Sequence, residues 1–251
     1  MPLTGPPKLE ADHTAAAVRR RLGAPPPVSY LRDFVYGAID GAVTTFAVVA
    51  GVQGASLSPS IVIILGVANL VADGFSMAVS NFLGSRAEAQ QRERARREEQ
   101  RHIELVPEGE REEVRQLFAA KGFEGPELTR IVDVITADRE IWVDTMMREE
   151  LGFGSEVSNP WCAATATLAA FVVVGFLPLA AFVYDLIAPG DLPEPFVWSA
   201  MLTGVAFFTV GGLKARFVDQ PFWRSGLETL AVGGIAAVLA YALGAALQGV
   251  A

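Results

Sequence analysis

The chain has 251 residues, of which 51% are hydrophobic and 19% charged, with a formal net charge of -8 and a mean hydropathy of +0.35. Apolar residues bunched into long runs between charge-dense segments exclude an ordinary soluble domain, and the same content with aperiodic Gly and Pro excludes disorder and collagen-like repeats. A single cysteine, Cys162, excludes an intrachain disulfide framework and a Cys-cluster metal site, and the acidic balance argues against nucleic acid as a partner.

Residues 1–30 hold no apolar core of signal-peptide length, so they are expected to stay as a cytoplasmic N-terminal segment. A bilayer core of about 30 Å takes about 20 apolar residues of helix. Five runs of that order follow, at 34–55, 59–83, 161–186, 196–213 and 222–247. The fold class predicted is an all-α membrane protein with five transmembrane helices. Helices 1 and 2 occupy 31–84, a three-helix cytoplasmic metal-binding domain at 85–159 is inserted between helices 2 and 3, and the last three helices fill 160–251.

The first run, YGAIDGAVTTFAVVAG, contains Asp40. A carboxylate at that depth costs several kcal/mol unless it faces a cavity, a partner or a cation. Gly37 and Gly41 flank it as Gly-x-x-x-Gly, a spacing that admits another helix closely, for instance the same helix of a second subunit. The plainer alternative is a structural hydrogen bond to Thr44, one turn on. In the second run, ANLVADGFSMAVSNFLG, helical spacing puts Asn69, Asp73, Ser76 and Ser80 on one narrow arc with Met77 at its flank. A thioether beside carboxylates offers mixed soft and hard ligands, which suits a divalent transition metal better than Mg2+ or Na+. Alone, Met77 would read as packing.

The segment 85–159 carries 12 basic and 18 acidic residues. Pro107 and Gly109 end a first helix, Lys121-Gly122 with Gly125-Pro126 end a second, and a third is predicted over 127–151. Glu99 and His102, Glu110 and Glu113, and Met146 and Glu150 form pairs three or four residues apart, each projecting from one helical face. Three such pairs could enclose divalent ions, as inward Glu and Glu-x-x-His groups do in di-iron bundles. Any one pair also fits a solvated charged surface.

Lys and Arg are retained on the cytoplasmic side of membrane helices. Five of the 20 (Lys8, Arg19, Arg20, Arg21, Arg32) precede or open the first run, twelve lie in the 84–157 segment, and Lys214, Arg216 and Arg224 join runs four and five. The N-terminus is therefore expected inside and the C-terminus outside. Trp161, Trp198 and Trp223 fall near predicted helix starts, at headgroup level.

YGAIDGAVTTFAVVAG, NLVADGFSMAVSNFLGSRAEAQ, EEQRHIELVPEGEREEV and MMREELG together resemble the vacuolar iron transporter family, over about residues 30–248. The resemblance implies a homodimer with five membrane helices per subunit that moves Fe2+ and similar ions (Mn2+, Co2+, Zn2+) out of the cytosol in exchange for protons. It implies an ion path between the subunits and a Glu-rich three-helix domain that collects metal. Carried over by position, Asp40 and Met77 become path ligands, and Glu99, Glu110, Glu113, Met146 and Glu150 cytoplasmic ligands. His102 stands where a Glu is usual, so metal affinity should fall as its imidazole protonates below about pH 6.5. Asn69 replaces a carboxylate of plant-like members, and Asp73 on the same face can supply that charge. The metal is cargo; no prosthetic group is expected. Without a long N-terminal extension there is no visible sorting signal, and a prokaryotic plasma membrane is the expected address.

The reading is thus a secondary transporter, not an enzyme. Its main rival is a membrane-tethered, ferritin-like metal buffer or oxidase, but that wants a second Glu-x-x-His, and the only other histidine is His13. A scaffold without an ion path gives no reason for membrane carboxylates at Asp40 and Asp73. The topology predicts that a cysteine introduced near Ser58 or after Gln248 is labelled from outside and one near Gly109 only from the cytoplasm. A C-terminus labelled from inside would reject five crossings.

Overall fold

The computed structural model describes residues 13–23, 28–154 and 158–249, where every regular element is a helix. In chain order these are α1 (Ala15–Gly23), α2 (Leu31–Gly54), α3 (Pro59–Leu105), α4 (Pro107–Ala120), α5 (Gly125–Thr136), α6 (Arg139–Glu149), α7 (Pro160–Gly175), α8 (Leu177–Ile187), α9 (Pro195–Val218) and α10 (Phe222–Ala246). Of the expected N-terminal segment 1–30, residues 1–12 with Lys8 and 24–27 lie outside the described residues, as do 155–157 and 250–251. The chain divides into two compact units, one formed by Met1–Leu83 with Asn159–Ala251 and the other by Gly84–Ser158. Helix α3 continues through the boundary between them.

The first unit is built around α2. Val35, Ala38, Ala42 and Val49 of α2 pack with Phe171 of α7, Leu179 of α8 and Phe207 of α9 into one apolar core. Helices α2, α3, α9 and α10 are each long and apolar enough to cross a membrane, and α7 with α8 makes a fifth crossing if that pair, bent by 49°, is one span. The third predicted run is therefore two helices, where one continuous helix was expected. Pro178 supplies no N–H at the bend, and the buried Ser199 hydroxyl of α9 donates to the Pro178 carbonyl at 2.5 Å. Helix α9 also runs five residues past the predicted end at 213, to Val218. Lys and Arg are good helix formers whose stems lie along apolar surface, so a charge that ends a hydropathy run does not end the helix.

The Gly37/Gly41 contact is made, but inside the chain. A methyl group on Gly41 would lie 2.9 Å from the Phe171 Cα, and one on Gly37 3.0 Å from the Thr167 carbonyl carbon. These two glycines seat α2 against α7 backbone to backbone, which corrects the suggestion that they meet the same helix of a second subunit. At the other end, a methyl group on Gly244 of α10 would lie 2.9 Å from the Gly51 carbonyl carbon.

In the second unit, Ile103, Val114, Val132, Trp142, Val143 and Met146 form a separate apolar core. The helix expected over 127–151 is two helices, and the three-helix expectation becomes four helical segments. Asp138 explains the break: its carboxylate accepts from the N–H groups of Glu140 and Ile141 at 2.9 and 3.2 Å, starting α6 afresh. Asp caps a helix better than it fills one. Arg96 pairs with Glu140 and with Asp144, Arg111 with Asp133, Lys121 with Glu149 and Arg139 with Glu104. Such exposed pairs set helix register and add little energy each.

Gly41→Ala forces α2 and α7 apart and should cost about 1–3 kcal/mol, as overpacking does. Gly234→Ala meets nothing within 4 Å and should leave stability unchanged or slightly raised. Thermal melts of both variants in one detergent check the contrast.

Candidate functional site

Two groups of polar side chains stand out, one in each unit. In the first, Asp40 is half-buried on α2. Thr44 donates its hydroxyl to the Asp40 backbone carbonyl at 2.9 Å, so the plainer alternative of a Thr44 bond holding the carboxylate is not what forms. Among the described residues no cation or hydrogen-bond donor meets the Asp40 carboxylate, and its nearest charged neighbour in effect is another acid, Asp73 of α3. Asn69 lies on the same side of α3, where its amide donates to the hydroxyls of Thr44 and Thr45 at 3.1 and 3.2 Å. The structure thus brings Asp40, Asn69 and Asp73 to one α2/α3 seam. Asp73, Ser76 and Ser80 are exposed in the single chain, on a helix that also exposes Ile64, Val71 and Phe75. Met77 is half-buried and packs against the apolar core.

A polar contact that the sequence reading passed over closes the same seam nearer the start of α2. Asn81 of α3 donates to Asp33 Oδ1 at 2.9 Å and to Thr167 Oγ1 at 2.7 Å, and Thr167 donates to the Ala163 carbonyl at 3.0 Å. The signal was present. Asp33 lies seven residues before Asp40 and Asn81 four after Met77, both on-face spacings in a helix.

The second group gathers Glu99 of α3, Glu110 and Glu113 of α4, and Glu150, the C-cap residue of α6. Glu99 and Glu110 are each 4% exposed, and Glu99 Oε1 and Glu110 Oε2 have no hydrogen-bond partner. His102 Nδ1 approaches Glu110 Oε1 at 3.5 Å. Burial, then a hydrogen bond and repulsion from Glu110, then repulsion from Glu150 and Glu113, push the Glu99 carboxyl up to about 8. Glu113 and Glu150 are raised too, first by burial and then by neighbouring carboxylates, with His102 opposing. Two facing carboxylates attract only with a proton or a cation between them. Met146 belongs elsewhere: it is fully buried in the second apolar core. Among the described residues, no three His, Cys, Asp or Glu side chains converge closely enough to hold an ion as they stand.

Comparison with known proteins adds the lineage. The family model described as the VIT family matches residues 31–245. Vacuolar iron transporter 1 of Arabidopsis thaliana is 33% identical over 219 residues, covering 87% of this chain and 86% of that protein. A vacuolar iron transporter of Toxoplasma gondii is 33% identical over 227 residues, covering 87% and 74%. One from Plasmodium berghei is 28% identical over 225 residues, covering 87% and 82%.

With its carboxyl held near 8, Glu99 is mostly protonated at pH 7, so a metal that binds there must displace that proton. Titration of Mn2+ into the full chain at pH 7, in buffers of different ionisation enthalpy, should show about one proton released per chain. Glu99→Gln should abolish the release. Without metal, the raised value makes this carboxyl's contribution to stability complete below about pH 4.5. It is lost progressively as pH rises towards 8, because the unfolded chain ionises first.

Proposed function

This chain belongs to the VIT family, and on that premise we propose that it is a homodimeric, proton-coupled exporter of Fe2+ from the cytosol. It is a transporter, not an enzyme. The observation that carries the reading is the pair of membrane carboxylates, Asp40 and Asp73, with no donor or cation at Asp40. An isolated charge there costs several kcal/mol, and either a dication or a proton removes the cost. Metal and proton are then mutually exclusive occupants of one site, which is what exchange requires.

Outward movement of a dication against an inside-negative potential costs about 4.6 kcal/mol per 100 mV, and inward protons offset it. Asp73, Ser76 and Ser80 are exposed in the single chain and would be costly against lipid, which favours a second copy across that face of α3 with the path lined by both. Asn69 holds Thr44 and Thr45 beside the path. Met77, now half-buried in apolar contact, supplies a soft ligand after a rotamer change, favouring Fe2+ and the related Mn2+, Co2+ and Zn2+ over Mg2+.

In the second unit, Glu99, His102, Glu110, Glu113 and Glu150 collect the ion, their mutual repulsion relieved by its charge. The N-terminus and this unit face the cytosol and the C-terminus faces away. A tethered buffer would use the same acids but has no use for Asp40.

Asp40→Asn keeps the shape while removing the charge and the titratable proton. Folding and dimerisation should survive, and metal uptake into vesicles under an imposed proton gradient should be lost. Met77→Ala should weaken transition-metal transport selectively and leave proton release intact. Wild-type transport by Asp40→Asn would reject the reading; loss of the dimer with loss of transport would assign Asp40 to assembly.

A further inference from the structure

The turn joining α9 to α10 carries chemistry that the transport path does not use. Phe217, Val218, Phe222 and Trp223 around it are 40%, 39%, 49% and 54% exposed. Both helices are apolar enough to cross a membrane, so aromatic and apolar side chains at their shared end sit at the headgroup boundary. Three cations accompany them. Lys214 faces Glu228 at 3.4 Å, and the Arg224 guanidinium lies over the Trp223 ring at 5.1 Å from its centroid. Arg216 meets no carboxylate among the described residues, and neither it nor Asp219, the one acid of the turn, forms an ion pair there.

Arg216 instead opens onto a cleft of about 220 Å3 whose other walls are Gly212, Leu213, Ala215, Gln220 and Phe222. The cleft joins an unpaired guanidinium and an amide to an apolar wall, a pairing of a planar fork with hydrocarbon that matches one class of molecule at this depth. We propose that the cleft binds an anionic phospholipid. Arg216 holds the phosphate through its forked N–H groups, Gln220 serves the headgroup oxygens, and Leu213 and Phe222 receive the first acyl methylenes. Arg224, over the Trp223 ring near the start of α10, adds a second cation at the membrane surface. A zwitterionic headgroup brings its own ammonium to the phosphate and leaves Arg216 less to neutralise, so the site discriminates by net lipid charge.

The test uses the full chain in mixed micelles containing phosphatidylglycerol or phosphatidylcholine, with retained lipid counted by native mass spectrometry. Phosphatidylglycerol should be retained in preference, and R216Q and R224Q should each cut its retention about five-fold, the weight of one cation at an anionic surface. A215L fills the cleft without touching a charge and should cut retention as well; it decides the matter if R216Q fails to melt with wild type. R97Q, which removes an exposed cation of the other unit, should change nothing. Equal retention of the two lipids, retention unaffected by both R216Q and A215L, or displacement of phosphatidylglycerol by excess inorganic phosphate would overturn the proposal, the last by making the ligand free phosphate.

Discussion

The backbone-to-backbone seating of α2 rests on glycine. Gly37 and Gly41 admit α7, and Gly244 of α10 admits the far end of α2, so the helix that bears Asp40 is gripped along two sides. In a membrane there is little hydrophobic force between helices, and close packing of small residues takes its place. Such a grip leaves α2 little freedom to slide or rotate, which holds Asp40 at a fixed height and heading while α3, with its exposed apolar face, packs through side chains. A closely seated helix beside a less enclosed one suits the proposed path, whose residues come from both.

The two polar groups answer the same electrostatic problem by different means. Asp40 is half-buried and Asp73 exposed on helices apolar enough to cross a membrane, and nothing in the described residues compensates Asp40. Glu99 and Glu110 are buried in a small folded unit where one proton, or one cation, reconciles them. In the second group, burial and neighbouring acids push the Glu99 carboxyl up to about 8, so that carboxyl favours a proton when no cation is present. Competition between a proton and a cation at Glu99 would follow from burial and repulsion alone.

Proton-coupled exchange, as proposed, would place opposite demands on these acids. They must be costly enough when empty to draw an ion, yet not so strongly binding that the ion stays. Half-burial of Asp40 and the single 3.5 Å approach of His102 to Glu110 are compatible with that balance. His102 lightens the negative charge of its cluster where a carboxylate would deepen it.

The apolar runs and the charge-dense insert were legible from composition and period, because the bilayer imposes a minimum length on any helix that crosses it and excludes Lys and Arg from its centre. Asp40 stood out as a candidate because a carboxylate inside an apolar run announces its own cost, and Glu99, Glu110, Glu113 and Glu150 because of their spacing on helical faces. What the tertiary structure alone decided was who meets whom. Gly37 and Gly41 could have served a second subunit, but α7 occupies them. Met146 and Glu150 share a helical face by spacing, yet one is consumed by the apolar core and the other joins the acids. The 127–151 helix could not be divided from its period, because Asp138 becomes a cap only when the chain turns there. Periodicity reports which residues share a face; only the neighbouring helices determine what that face touches.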